Sequence, residues 1–276
     1  MKFSAITPKK PVLILAAFFL LLLILLNIKS PSNIANWQTQ YKVLPTVNLD
    51  QDIIRINNVR DFRYNNDETI NKARYIDQEF KLSEFVAAWY GISHFGEHGL
   101  AHVLMSFEFE NDKFLVVSIE ARLEEKHASG SNPIKGLFRN YTKTVVLATE
   151  QDVIGLRTHI RNEPLYLYEL DVPELYTKPL LLNFLREAHV LNRKPTFYNT
   201  ILDNCMTGLL AQSDQFRSLS SWLDTRILLP GNSDEIAYEL GYINNGESFM
   251  RARQDALIDP SQVDLEDSDF SRKIRL

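Results

Sequence analysis

The 276-residue chain has little cysteine, no excess of positive charge and no internal repeat. One cysteine excludes an internal disulfide, and therefore a small disulfide-stabilised scaffold. Thirty Lys and Arg against 35 Asp and Glu give a net charge of −5, which disfavours broad binding to nucleic acid. A hydrophobic fraction of 45% with 11% aromatic residues excludes a disordered or collagen-like chain.

Long hydrophobic runs are also scarce, because only one occurs, at the N-terminus. Pro11 to Ile28 is an apolar stretch whose helix would span about 27 Å, close to the hydrocarbon core of a bilayer. Lys9 and Lys10 precede it, which predicts a cytoplasmic N-terminus and an exported body. No small-x-small cleavage site follows, so residues 1–30 are interpreted as an uncleaved signal anchor. A cleaved signal peptide and a buried soluble helix are the alternatives.

The exported body, residues 31–276, reads as one domain. It begins with a short polar linker at Pro31 and contains no low-complexity tract. The net charge is −5 for the whole chain and +4 for residues 1–30, which leaves −9 for the body. These features predict a single-pass inner-membrane protein whose body lies in the periplasm.

Alternating apolar residues predict strands in the middle of the body, and helical spacing predicts helices after them. The predicted strands are residues 52–59, 102–109, 114–122, 144–148 and 165–170, and residues 82–90 fit a strand or a short helix. The predicted helices are residues 179–191, a helix from about 203 through 210, and residues 235–240. The acidic tail from Asp259 is expected on the surface. This order indicates an α+β fold.

The two central strands predict a β-hairpin around the turn-forming pair Asn111 and Asp112. A three-residue connection would place His102 opposite Glu120 on one face of the sheet. A two-residue turn would send Glu120 to the other face, and both registers remain open. In the first register Glu120 can orient His102 and stabilise its charge, as a catalytic imidazole requires.

Cys205 follows Asp203 and Asn204, two residue types that favour helix N-caps. It is therefore predicted in the first turn of a helix, where the macrodipole and exposed N–H groups lower the pKa of a thiol. The same N–H groups can hold the oxyanion of a tetrahedral intermediate. An inert buried thiol is the alternative.

His94, His98 and His102 have a spacing that on a helix would suggest metal ligands. Gly96 and Gly99 interrupt that stretch, and His102 begins a predicted strand. We therefore expect no metal site and no cofactor. The remaining histidines stand in polar or helical contexts and are interpreted as surface or capping residues.

Seven separated motifs, in order, resemble the DUF4105 family, also called the Lnb N-terminal periplasmic domain. They are NVRDFRY (58–64), AHVLMSF (101–107), SIEAR (118–122), DVIGLR (152–157), YNTILDNCMT (198–207), LPGNS (229–233) and FSRKIR (270–275). The resemblance spans about residues 36–276. One departure is Met206, where the family pattern leads us to expect threonine, which bears on substrate preference.

The family's name refers to bacterial lipoprotein N-acyltransferases. Its His-then-Cys order is similar to that of circularly permuted papain-like proteins of the NlpC/P60 and lecithin:retinol acyltransferase type. The resemblance implies a permuted papain-like domain with a central antiparallel sheet, in which Cys205 is the nucleophile, His102 the base and Glu120 the orienting residue. Related chains often carry further membrane spans, so a separate membrane protein is a candidate partner.

These observations predict a thiol acyltransferase that acts on a phospholipid or lipoprotein through a thioester. Tyr198 and Asn204 are candidate oxyanion or substrate contacts. Arg60 and Arg63 are candidate contacts to a phosphate or carboxylate, with a structural ion-pair network as the alternative. A cysteine amidase or peptidase of cell-wall peptides and a non-catalytic anchored assembly module are the alternative functions.

Overall fold

The computed structural model describes Leu15, Ala17 and residues 29–96, 99–127, 130–211, 226, 230–243 and 248–275. The predicted membrane span, residues 11–28, falls outside this part of the chain except for two positions. Among the residues that are described, no helix combines the length and apolar character needed to cross a bilayer. The body is a mixed α+β structure built on one large sheet.

Ten strands are described. They are β1 (Thr46–Asp50), β2 (Ile53–Arg60), β3 (Arg63–Tyr64), β4 (Ile70–Lys72), β5 (Tyr75–Lys81), β6 (Phe85–His94), β7 (Ala101–Phe109), β8 (Lys113–Arg122), β9 (Thr142–Ala148) and β10 (Leu165–Glu169). The large sheet has the order β1-β2-β9-β8-β7-β6-β10, and β5 pairs with β2. All its pairs are antiparallel except the short β2–β9 contact. β3 and β4 form a separate ribbon.

Seven α-helices are described, labelled here in chain order. They are α1 (Pro133–Gly136), α2 (Glu150–Gly155), α3 (Glu174–Arg193), α4 (Cys205–Ala211), α5 (Ser233–Glu239), α6 (Phe249–Asp255) and α7 (Phe270–Lys273). A π-helical turn, Leu156–Ile160, continues α2. α3 begins five residues before Pro179, the predicted start, and its first turn carries an ion pair between Glu174 and Lys178 at 2.6 Å.

Both faces of the sheet are covered, because the strands alternate between two apolar clusters. The first face contains Val103, Met105 and the apolar side of α3, and it also takes up Cys205 and Met206. The second face is covered by the segment 150–160 and by the C-terminal segment 258–275. A sheet buried on both faces explains why its central strands carry so few polar residues.

The C-terminal segment differs from the expectation that it lies on the surface. Val263, Phe270 and Ile274 are buried against the second face. Arg275 forms an ion pair with the buried Glu150 at 2.6 Å. The acidic residues of this segment point outwards, whereas its widely spaced apolar residues cover the core. The acidic composition of the segment does not reveal these few apolar positions.

Candidate active site

The β7–β8 hairpin has the register that joins His102 with Glu120. Five residue pairs, from Met105 with Val117 to Phe109 with Lys113, form its ladder. The connection is therefore the three residues 110–112, of which Asn111 and Asp112 adopt left-handed backbone conformations with φ of 63° and 55°. Asparagine and aspartate tolerate this conformation better than other non-glycine residues, which fixes the longer turn.

A chain of two hydrogen bonds leads from the imidazole to a carboxylate. His102 Nε2 lies 2.6 Å from Ser118 Oγ, and the Ser118 hydroxyl donates to Glu120 Oε1 at 2.9 Å. A hydroxyl has one proton, so Ser118 must accept from His102, whose Nε2 therefore carries hydrogen. Nδ1 keeps its lone pair and forms no hydrogen bond within the part of the chain that the structure describes. His102 is thus held in the tautomer in which Nδ1 can act as a base.

Glu120 remains an anion in this position. Burial raises its pKa, but the charge that His102 carries when protonated, the charges of Arg60 and Arg157 and a hydrogen bond from Tyr41 outweigh burial and bring the pKa to about 2. The Tyr41 hydroxyl donates to Oε2 at 2.8 Å. Arg157 Nη2 lies 3.7 Å from Oε1, the same distance as His102 Nε2. Glu120 is therefore a buried negative charge directed at the imidazole through Ser118.

His102 itself is neutral. Burial and the nearby charge of Arg157 lower its pKa to about 3, against the opposing effect of Glu120. A resting thiolate–imidazolium pair is therefore disfavoured. The imidazole is instead ready to take a proton, and Glu120 stabilises the charge that would then form.

Cys205 is the first residue of α4, as the sequence predicts, and Asn204 is its N-cap. Asn204 Oδ1 accepts from the N–H groups of Met206 at 2.9 Å and Thr207 at 2.8 Å. Thr207 Oγ1 accepts in return from the Asn204 N–H at 2.8 Å. This reciprocal cap fixes the start of the helix. It also occupies Asn204 and two first-turn N–H groups, which argues against their predicted role as oxyanion contacts.

Lys143 on β9 holds the segment that leads into α4. Its ammonium group is buried and pairs with Asp203 at 2.5 Å and with Glu187 of α3. One cation thus joins β9, α3 and the residue before the cap. We infer that this contact sets the position of Cys205 relative to the sheet.

The Cys205 sulfur and the His102 side chain begin on opposite faces of the sheet. His102 alternates with Val103, and Val103 shares the first face with Cys205. The β7–β8 ladder ends at Met105 and Val117, so the Val103 N–H has no partner on β8. No hydrogen bond joins Cys205 with His102 within the described residues.

The end of that ladder nevertheless brings the sulfur close to the histidine. Burial raises the pKa of the Cys205 thiol, while the N–H groups of Val103, Met206 and Cys205 oppose the rise. The Val103 nitrogen is one peptide bond from His102, about 2.4 Å from its Cα. The sulfur therefore lies close to the His102 backbone.

Tyr198 lies close to the same cysteine. Burial raises the pKa of the Tyr198 hydroxyl, as do the negative charges that Cys205, Glu120 and Asp203 can carry, whereas the Cys205 N–H acts in the opposite direction. The hydroxyl therefore stays protonated and lies close to Cys205. This position agrees with its predicted role as an oxyanion or substrate contact, a role that stays a prediction.

Arg60 and Arg63 belong to a structural network. Arg60 donates two hydrogen bonds of 2.9 Å to the buried Asp152. Arg63 donates at 2.9 Å to Asp61, which also binds Arg74. The geometry favours the ion-pair alternative over a phosphate contact, because these guanidinium groups are already engaged with carboxylates.

Sequence reasoning missed three residues of this site, Ser118, Tyr41 and Arg157. Ser118 lies two positions before Glu120 on a strand and so faces the same way, a signal that could have been used. Tyr41 reaches the site from a short 3-10 helix, Thr39–Tyr41, far away along the chain. Arg157 extends from the π-helical turn, which local sequence patterns do not predict.

An apolar cavity of about 80 Å³ lies on the first face beside Met206, the residue after Cys205. Met206 lines it, and the Tyr90 hydroxyl approaches the sulfur of this methionine at 3.7 Å. The other walls come from β7, from the segment between β10 and α3, from α3, α4 and α5, and from the turn after α5. Their residues are Met105, Leu170, Val172, Tyr176, Thr177, Leu180, Leu210, Ser233, Ile236, Ala237 and Tyr242.

Comparison with known proteins gives one match. No curated protein and no solved structure is similar to this chain at a significant level. The family described as the Lnb N-terminal periplasmic domain matches residues 71–231, which include His102, Ser118, Glu120 and Cys205. Since this match covers more than half of the sequence, the chain belongs to the Lnb N-terminal periplasmic domain family.

Proposed function

We propose that the protein is a thiol enzyme that transfers acyl groups, with Cys205 as nucleophile and His102 as general base. One observation carries the proposal. The hydrogen-bond chain through Ser118 leaves only Nδ1 of His102 with a free lone pair. The N–H of Val103, the residue after His102, donates to the Cys205 sulfur. The permuted papain-like arrangement, with histidine before cysteine, remains part of this proposal.

The chemistry proceeds in two half-reactions. His102 Nδ1 takes the thiol proton as the Cys205 sulfur attacks an ester carbonyl, and the tetrahedral intermediate then expels the alcohol, which receives that proton. A thioester on Cys205 results. An amine or water attacks the thioester, loses a proton to His102, and releases an amide or an acid while the thiol forms again. Glu120 stabilises the transient imidazolium through Ser118 in both steps.

The cavity beside Met206 is small and apolar, which favours the end of an acyl chain over a peptide. Its walls are almost wholly apolar, whereas a peptide groove needs backbone donors and acceptors along its length. A phospholipid or lipoprotein at the periplasmic face of the inner membrane is the proposed substrate. The apolar run at residues 11–28 would hold the body at that membrane.

The test is the intact mass of the full chain, purified in detergent and incubated with a phospholipid. We expect a mass increase of one fatty acyl group that hydroxylamine removes. Cys205→Ser should eliminate the hydroxylamine-sensitive adduct, and Ser106→Ala, a substitution away from the site, should keep it. An adduct that survives hydroxylamine, or one that persists in Cys205→Ala, would contradict the proposal.

Two results would favour the alternative functions. Labelling of Cys205 only by peptide-like probes would indicate an amidase or peptidase. No adduct with either class of probe would favour an assembly module. That outcome agrees with the buried sulfur and with its lack of a hydrogen bond to His102 among the described residues.

A further inference from the structure

Exposed apolar side chains gather at one end of the large sheet. At this end lie the β6–β7 connection, the β8–β9 connection and the turn that precedes α4. We call these side chains the end patch: Phe95, Leu100, Ile134, Phe138, Ile201 and Leu202. Ile134 and Leu202 are 68% and 70% exposed, which is unusual for residues of this type in one region.

Direct contacts join two parts of the end patch, α1 and the turn before α4. The Thr200 hydroxyl donates to the carbonyl of Pro133 at 2.7 Å, which fastens the turn before α4 to α1. Asn199 Oδ1 accepts from the N–H groups of Ile201 and Leu202 at 2.9 and 2.8 Å, which holds their side chains outwards. The apolar side chains are therefore presented by an ordered surface.

Lys29, the first residue of the described body, lies beside the end patch. The Lys29 ammonium group donates to Asn140 Oδ1 at 2.7 Å, and the Asn140 side chain donates to the carbonyl of Lys135 in α1 at 2.7 Å. Residues 11–28, the only long apolar run of the sequence, end immediately before Lys29. The segment that would enter a bilayer is thus joined to the body beside the end patch.

The charges around the end patch are those that anionic lipids attract. Segment 131–141 contains Lys135 and Arg139, both exposed, and no acidic residue. Asp203, which follows Leu202, is paired with Lys143. Glu124 and Glu125, earlier in the same connection, are paired with Lys126 and Lys42. The body as a whole is acidic, so two exposed basic side chains beside apolar ones distinguish this part of the surface. Apolar residues with neighbouring lysine and arginine are typical of surfaces that lie in the headgroup region.

We propose that the end patch docks on the surface of a phospholipid bilayer, with its apolar side chains in the acyl boundary and its basic side chains at the headgroups. Leu202 precedes Cys205 by three residues, so docking would place the start of α4 at the membrane. The proposal concerns the surface and holds whether or not Cys205 performs chemistry.

The test is spin-label depth measurement on the full chain reconstituted in vesicles that contain phosphatidylglycerol. Ile134→Cys and Leu202→Cys carry the label in a Cys205→Ser background, which removes the only native thiol. Leu175→Cys is the matched control, because Leu175 is 74% exposed and follows β10, at the opposite end of the sheet. We expect labels at 134 and 202 to gain collisions with oxygen and lose collisions with a water-soluble nickel complex, relative to 175.

Three results would overturn the proposal. One is equal accessibility of all three labels to the nickel complex. Another is protection at 134 and 202 that grows with protein density in the vesicles, which would indicate a second copy as the occupant. The third is unchanged depth when Lys135→Gln and Arg139→Gln are combined in vesicles of anionic lipid, because these two basic side chains are part of the proposed contact. The Cys205→Ser background makes all these outcomes independent of the proposed activity.

Discussion

The hydroxyl of Ser118 decides which nitrogen of His102 is available for chemistry. It accepts from Nε2 and donates to Glu120, so it passes the effect of the carboxylate to the ring. Without it, Glu120 and Nε2 are separated by 3.7 Å, beyond hydrogen-bond distance. The role that sequence reasoning gives to Glu120 is therefore divided between two residues.

Ser118→Ala should reduce kcat by about 10- to 100-fold, because the imidazole loses the hydrogen bond that fixes its tautomer. The loss of the two hydrogen bonds of Ser118 should lower the free energy of unfolding by about 1–3 kcal/mol. Acyl-transfer rates and urea denaturation would measure both effects. Ser106→Ala is the matched control, since Ser106 is equally buried and donates to Glu150 at 2.5 Å without touching His102. Equal losses of kcat in the two variants would contradict the role of Ser118.

The positive charge of Arg157 contributes to the low pKa of His102. Burial is the first cause of the low His102 pKa, and the Arg157 charge is the second. Arg157→Gln should therefore raise the pKa of His102 from about 3 towards its ordinary value. NMR titration of the imidazole would measure the shift. Arg161→Gln is the control, because Arg161 acts on His102 more weakly and pairs with Glu68 near the surface. A larger shift in Arg161→Gln would contradict this assignment.

At the scale of elements, the start of β7 depends on a contact between two glycines. The Gly231 N–H donates to the carbonyl of Gly99 at 2.9 Å, two residues before β7 begins. A Cβ on residue 231 would lie 2.7 Å from backbone atoms of Gly99, a distance that the backbone must relieve by moving. The LPGNS motif thus supports the strand that carries His102.

Gly231→Ala should lower the free energy of unfolding by about 1–3 kcal/mol, because the added methyl overpacks a backbone contact. It should also lower kcat through displacement of β7. Urea denaturation and acyl-transfer rates would measure the two effects. Asn232→Ala is the control, since Asn232 is exposed and its side chain makes no cap hydrogen bond. A Gly231→Ala protein as stable as Asn232→Ala would show that the loop tolerates the methyl.

Elements with strong local signals could be predicted from the sequence. Alternation identifies β7 and β8, cap residues identify the start of α4, and the turn at Asn111 decides the register once its length is known. β1, β5 and the segment 150–160 were missed. Their side chains are paired by distant residues, as in the contact between Arg60 and Asp152, and local patterns do not contain such pairs.

The relation between His102 and Cys205 could not be predicted for a similar reason. The sequence places one on a strand and the other at a helix start, and both positions are found. Whether the sulfur can approach the backbone beside His102 depends on where the β7–β8 ladder ends, a property of the assembled sheet. The sequence therefore predicts the residues of the candidate site but not that the β7–β8 ladder ends beside them.

At the scale of the whole molecule, the candidate site lies within a sheet that is covered on both faces. The C-terminal segment covers the second face, where Phe270 and Ile274 pack beside the strands that carry His102 and Glu120. Burial of this face keeps the imidazole neutral and holds the carboxylate among cations. In the native structure, His102 and Glu120 therefore take up protons only at a lower pH than they would in the unfolded chain.

Acid should destabilise the protein in two successive pH ranges. The folded pKa of His102 is about 3, below the ordinary 6.5, so only the unfolded chain gains this proton as the pH falls through that range. Glu120, with a pKa of about 2 against 4.5, behaves in the same direction at lower pH. Stability is thus complete above pH 6.5 and decreases below it.

From pH 7.5 to pH 5, His102 should account for a loss of about 2 kcal/mol. Urea denaturation of the detergent-solubilised chain at these two pH values would measure it, and His102→Gln should remove that part while His189→Gln, on α3, should keep it. If His102→Gln loses as much stability as the unmodified protein, the neutral buried imidazole is not the group responsible.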